Sequence, residues 1–107
     1  MKLHKVLVSL IEAQNNHDSK AYVDCFSETA IVHDEGKTHS GKAQIQKWIE
    51  HSNREYQSVM KPLSFEQAAT GNVLAAEVTG TFPGSPAVLK FHVTLEGDLI
   101  HSLKITG

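Results

Sequence analysis

The stretch FSETAIVHDEGKTHSGKAQIQKW, Phe26 to Trp48, decides the fold. It contains a short apolar strand, Ala30-Ile31-Val32, running into a carboxylate pair, Asp34-Glu35. Gly36 permits a turn, a polar arm follows, and Ser40-Gly41 opens an amphipathic helix carrying Ile45, Trp48, Ile49 and, further along the same face, Ser52. A strand alternates its side chains between two faces. Ala30, Val32 and Asp34 therefore share one face, and Ile31 and His33 the other. An acid in line with an apolar row is either a strand-end residue reaching water or a carboxylate looking into a pocket.

N-terminal to this stretch, Leu3, Val6, Leu7, Leu10 and Ile11 recur at the spacing of one apolar stripe of an α-helix. Asp18 is a suitable N-cap for a second helix, since its carboxylate accepts the free amide hydrogens of a first turn. Ala21, Tyr22, Cys25 and Phe26 form the buried side expected of that helix. From Ser58 onward the apolar period is two. Leu63 and Phe65 alternate with Ser64 and Glu66, and Pro62 indicates a sheet edge or a bulge. Thr70-Gly71-Asn72 and Pro83-Gly84-Ser85-Pro86 are turn sequences. Between and after them, Leu74, Ala76, Val78, Gly80 and Phe82, then Ala87, Leu89, Phe91, Val93 and Leu95, are expected to form inward faces. Gly97-Asp98 is a two-residue hairpin signal, and Leu99, His101, Leu103 and Ile105 form the last expected apolar face. Helices first and antiparallel strands after them define an α+β plan, a cone-shaped curved sheet wrapped over N-terminal helices.

A chain of 107 residues suits a single domain, residues 1–107, with one core. The formal charge of −2 leaves no electrostatic footprint for nucleic acid, and Arg54 is the sole arginine. The sole cysteine, Cys25, excludes an internal disulfide and indicates a reducing, cytoplasmic setting. The apolar run Val6 to Ile11 is too short for a signal peptide or membrane span. The histidines lack the spacings that bind metal, so no metal and no cofactor is expected.

Asn15, His17-Asp18, Phe26, Ala30-x-Val32-x-Asp34, Gly41, Ile45 and Trp48 together resemble the nuclear transport factor 2-like superfamily, which includes ketosteroid isomerases, scytalone dehydratases and SnoaL-like polyketide cyclases. The resemblance implies the cystatin-like cone and a cavity for a small apolar molecule. It also implies a homodimer paired through the outer sheet face, here the row Val88, His92, Thr94, Ile100 and Ser102. In the isomerases the position matching Asp34 is the general base. Their oxyanion donors fall at Leu10 and near Phe91 here, and neither residue can donate a hydrogen bond. One lost donor of this kind usually costs about 10²–10³ in rate, which argues against a standard steroid isomerase.

Two residues are candidates for acid/base chemistry. Asp34, if half-buried, has its pKa raised by desolvation and suits proton abstraction near neutral pH; the alternative is a solvated strand-end acid. His101, a polar slot in an apolar row, forms an acid/base pair with Asp34 if both face one cavity; the alternative is a hydrogen-bonded or wet histidine at the sheet end. Tyr22, Phe26, Trp48, Phe65, Phe82 and Phe91 lie on expected inner faces, as core or as cavity lining, with Tyr22 and Trp48 distinguished by polar tips. Three functions compete on these residues: an enzyme isomerising, dehydrating or cyclising a small apolar molecule, a non-catalytic binder of such a molecule, and a dimerisation module.

Overall fold

The computed structural model describes residues 2–69 and 71–107. The elements run α1 (Lys5–Asn15), α2 (Ser19–Val23), β1 (Phe26–Asp34), β2 (Lys37–Ser40), α3 (Gly41–Tyr56), β3 (Val59–Ala68), β4 (Gly71–Thr79), β5 (Ala87–Glu96) and β6 (Leu99–Thr106). The strands form one curved, unclosed six-stranded sheet in the order β2-β1-β6-β5-β4-β3. Every neighbouring pair is antiparallel except β1 and β6, which run parallel.

The helices follow their apolar stripes. Val6, Leu7, Leu10 and Ile11 of α1 are buried, each large side chain contributing about 1.5–3 kcal/mol by leaving water. Asp18 caps α2 by accepting from the Ala21 N–H at 3.1 Å. That helix stops at Val23, so Cys25 and Phe26, expected on its buried side, lie beyond it; both are buried all the same, and Phe26 opens β1. In α3, Ile45 and Ile49 enter the core with Trp48 packed beside them.

The strand faces match the period-two reading except at bulges and at the end of β4, which stops at Thr79, so that Gly80 and Phe82, expected on its inward face, lie in the loop beyond it. Pro62 sits on an edge strand, and Leu63 is the extra residue there, since Pro62 pairs with Ala76 and Ser64 with Ala75. Leu63 is accordingly exposed rather than inward. In β6, Ser102 pairs with Thr94 and Ile100 with Leu95, which leaves His101 as the bulged residue. A bulge inserts one residue and reverses the alternation on one side of it. Ile100, expected outward, is fully buried, and Leu99, expected inward, is exposed. Of the turn expected at Thr70-Gly71-Asn72, Thr70 lies outside the described residues, and Gly71 and Asn72 already pair with Ala68 and Gln67 inside β4.

Asn15 ties the helical layer to the sheet edge. Its Nδ2 donates to the Met60 carbonyl at 3.0 Å, and the Met60 N–H donates to its Oδ1 at 2.7 Å. One side-chain amide thus satisfies both edge-facing backbone groups of a buried residue, as a neighbouring strand would. Asn15→Ala leaves both groups without a partner and is expected to lower stability by about 2–3 kcal/mol in urea unfolding, with Asn15→Asp, which retains only the acceptor, in between.

Candidate functional site

A cavity of about 610 Å³ opens between α3 and the inner faces of β4 and β5. Its wall is mainly aromatic and aliphatic, with Tyr22, Trp48, Tyr56, Phe82 and Phe91 among the lining residues. Asp34 reaches it from the last position of β1, and Glu35 from the turn beyond. Glu35 and Gly36 both have positive φ, 53° and 74°. This is the twist sense that closes a two-residue hairpin. The hairpin brings His39 opposite Val32, onto the inward face. There the imidazole stacks on the Trp48 indole, with ring centroids 5.6 Å apart and 28° between planes.

Asp34 is half-buried, and burial is the main cause that lifts its pKa above the ordinary aspartate range; the Glu35 carboxylate adds to the rise. The Trp48 indole N–H, which donates toward the carboxylate, opposes it, as do His39 and a backbone N–H. Tyr22 sits deeper. Burial pushes its hydroxyl well above the usual tyrosine range, with smaller additions from Cys25 and Asp34. The hydroxyl has no hydrogen-bond partner among the described residues, although no enclosed polar side-chain atom there is left unsatisfied. It is therefore open to the cavity it lines. Cys25, behind Tyr22, is a buried thiol pushed up to about 11, chiefly by desolvation.

The structure gathers Asp34, Tyr22, Trp48, Phe82 and Phe91 around the cavity, but not His101, Phe26 or Phe65. Phe26 is fully buried at the closed end of the core, 5.7 Å from the Tyr22 ring. Phe65 lies beyond the β3 bulge and packs at the margin of the core. His101 is displaced by its own bulge. It stands near the start of β1, since Phe26 pairs with Ile100, whereas Asp34 ends that strand. Its Nδ1 lies 3.4 Å from Ser27 Oγ and 3.4 Å from Glu96 Oε2. Both neighbours meet the same ring nitrogen, so this group lacks the relay geometry in which an acid orients one nitrogen and the other activates a hydroxyl. The acid/base pair of Asp34 with His101 does not form.

Tyr56 is a lining residue that the aromatic reading omitted. Its signal was present, because the stripe Ile45, Ile49, Ser52 continues one more turn to Tyr56. Neither Lys37 nor His39 lines the cavity; the two-residue hairpin sets His39 opposite Val32, where it stacks on Trp48. Among the described residues no three His, Cys, Asp or Glu side chains gather as metal ligands, and no helix is long and apolar enough to cross a membrane.

A curved open sheet over N-terminal helices, with a carboxylate at the rim of an aromatic cavity, defines the nuclear transport factor 2-like class of pocket folds. Within it the chain belongs to the SnoaL-like domain family, whose model matches residues 7–100. A candidate polyketide cyclase from Sinorhizobium meliloti superposes with a TM-score of 0.92 at 29% identity, covering 97% of this chain and 95% of its own. A cystatin-fold protein from Novosphingobium aromaticivorans gives 0.80 at 20% identity, over 100% and 99% of the two chains. A protein of ketosteroid isomerase-like fold from Catenulispora acidiphila, in complex with trimethylamine, gives 0.87 at 16% identity, over 99% and 87%. No curated protein matches the sequence.

The raised Asp34 pKa sets a sign for stability. Between the unfolded value, about 3.9, and the higher folded value, the native state holds more protons than the unfolded one, so stability falls as pH rises through that window. Asp34→Asn removes this loss. The variant is expected to melt at pH 7 no lower than the parent, and a carboxyl-detected NMR titration is expected to lose one signal that titrates above about 3.9.

Proposed function

We propose that the protein holds a small, largely apolar molecule in the cone cavity and moves a proton on it, with Asp34 as acid/base group and Tyr22 as hydrogen-bond donor. The observation that carries this reading is the meeting of a half-buried carboxylate and a partnerless tyrosine hydroxyl at one apolar cavity. Asp34 takes a proton from a carbon next to a carbonyl. The electron pair moves onto the carbonyl oxygen, and Tyr22 donates a hydrogen bond to the oxyanion that develops. Return of the proton to another carbon completes an isomerisation; expulsion of a β-hydroxyl, which takes the proton back from Asp34 and leaves as water, instead completes a dehydration; attack of the carbanion on a second carbonyl of the same molecule, with the proton returned to the alkoxide that forms, completes a cyclisation. Tyr22 comes from α2, so this donor is independent of the Leu10 and Phe91 positions that argued against a standard steroid isomerase. The trimethylamine complex of the Catenulispora relative supports occupancy of such folds by small molecules.

Incubation in D₂O with a panel of small cyclic enones, followed by proton NMR, tests the reading. Deuterium is expected to enter next to the carbonyl at a protein-dependent rate. Asp34→Asn is expected to lower that rate by at least about 10²-fold, and Tyr22→Phe by about 10². Binding of the panel without exchange supports the second reading, a non-catalytic ligand-binding module. The position of His101, far along β1 from Asp34, favours that alternative, because it leaves the cavity's carboxylates without an imidazole partner.

We also propose a homodimer through the outer sheet face, in a reducing, cytoplasmic setting consistent with the buried lone thiol. Val88, the most exposed large apolar side chain among the described residues, and Thr94 lie on that face, whereas Ile100 does not. Light scattering at micromolar concentration is expected to give twice the chain mass, and Val88→Lys to shift it toward the monomer.

A further inference from the structure

We infer that the cavity selects ligands carrying an ammonium group: a tertiary or quaternary amine with an apolar body, its cation held between Asp34 and the aromatic wall. The inference rests on the reading of the cavity as a ligand site and adds the charge class of the ligand.

The charged side chains that line the cavity are Asp34 and Glu35, both acidic, with no Lys, Arg or His side chain lining it among the described residues. Among the described residues Asp34 makes no ion pair, while Lys20 pairs with Asp24 and Lys42 with Glu28. Lys37, opposite Asp34 in the hairpin, and Lys104 line an outer groove that Asp34 and Glu35 also border, and neither lysine lines the cavity. His39, stacked on Trp48, and the Trp48 N–H only partly offset the burial of Asp34, and a half-buried carboxylate so incompletely compensated is unfavourable. A ligand cation supplies the counter-charge, an anion is repelled, and a neutral apolar ligand dehydrates the carboxylate without compensation.

The walls fit the same class. Tyr22 and Trp48 form one corner, with ring centroids 6.1 Å apart and planes at 58°. Tyr56 and Phe82 form another, 6.1 Å apart and at 89°. Both pairs line the cavity, and an aromatic wall is the surface that recognises alkylated ammonium ions. A volume of about 610 Å³ accommodates such a head group together with an apolar body.

The test compares choline with its neutral carbon isostere, 3,3-dimethylbutan-1-ol, at pH 7.5. Trp48 is the only tryptophan, so its indole N–H signal reports the cavity unambiguously in an NMR titration. Choline is expected to bind about tenfold more tightly than the isostere. Asp34→Asn is expected to remove that preference by weakening choline, while the isostere, freed of the carboxylate that it dehydrates, binds at least as tightly; its continued movement of the indole signal shows that the cavity is intact. Equal affinity, tighter binding of the isostere, or no movement of the indole signal by either compound at tens of millimolar overturns the inference. A preference that survives Asp34→Asn overturns the assignment of the carboxylate. The enone exchange measurement is independent: proton transfer without cation preference leaves only this inference refuted, and cation preference without exchange leaves only the acid/base reading refuted.

Discussion

The register of β1 is the constraint on which the site depends. This strand lies between β2 and β6, and its inward residues Phe26, Ala30 and Val32 are fully buried. A slip of one residue would carry Ile31 and His33 into the core and turn Asp34 to water. Three features prevent it. The Phe26 side chain fills the closed end of the core, the Cys25 carbonyl accepts the Ile100 N–H at 2.8 Å, and the Glu35-Gly36 turn locks β2 alongside. The carboxylate at the cavity rim is thus placed by apolar packing several residues away. The local Asp34-Glu35-Gly36 sequence does not position it alone.

The core is polarised along that strand. At the start of β1, Phe26 and its strand partner Ile100 leave no exposed surface. Toward Asp34, Leu89 and Ile105 are only partly buried and line the cavity instead of closing it. Apolar surface left open forgoes about 25 cal/mol per Å² of stabilisation. A ligand that covers the surface recovers that term as binding free energy. The same incomplete packing keeps Asp34 half-buried, so the space for a ligand and the perturbed titration have one origin.

Much of this was legible in the residues. The α1 stripe, the Asp18 cap, the inward row Ala30, Val32 and Asp34, and the Gly97-Asp98 hairpin all rest on local periodicity or turn chemistry, and the structure has each of them. What escaped rests on pairing between distant segments. His101 reads as inward by strict alternation, and only its bulge opposite Thr94 and Leu95, a property of β5 and β6 together, displaces it. His39 reads as lost in a polar arm until the hairpin register sets it opposite Val32. Phe26 shows the reverse case. Its burial was legible while its element was not, because a large apolar residue is buried whether α2 ends before it or after it.

Tyr22 and Asp34 share one cavity, and their environment separates their roles. Desolvation raises both, because an apolar wall disfavours either anion. The effect differs in consequence, since the two start from pKa values about six units apart. Raising a tyrosine from near 10 removes ionisation from the whole working range. Tyr22 therefore stays protonated and keeps a hydrogen to donate, whichever state Asp34 adopts. Raising an aspartate from near 4 moves its titration toward neutrality, where a carboxylate both accepts a proton and returns it. Their coupling reinforces the division: a negative Asp34 disfavours a negative Tyr22, so the state in which Asp34 is ready to accept a proton is also the state in which Tyr22 holds its own most firmly. One desolvated environment thus yields a fixed donor and a carboxylate that titrates nearer neutrality, the minimum that the proposed proton transfer next to a carbonyl requires.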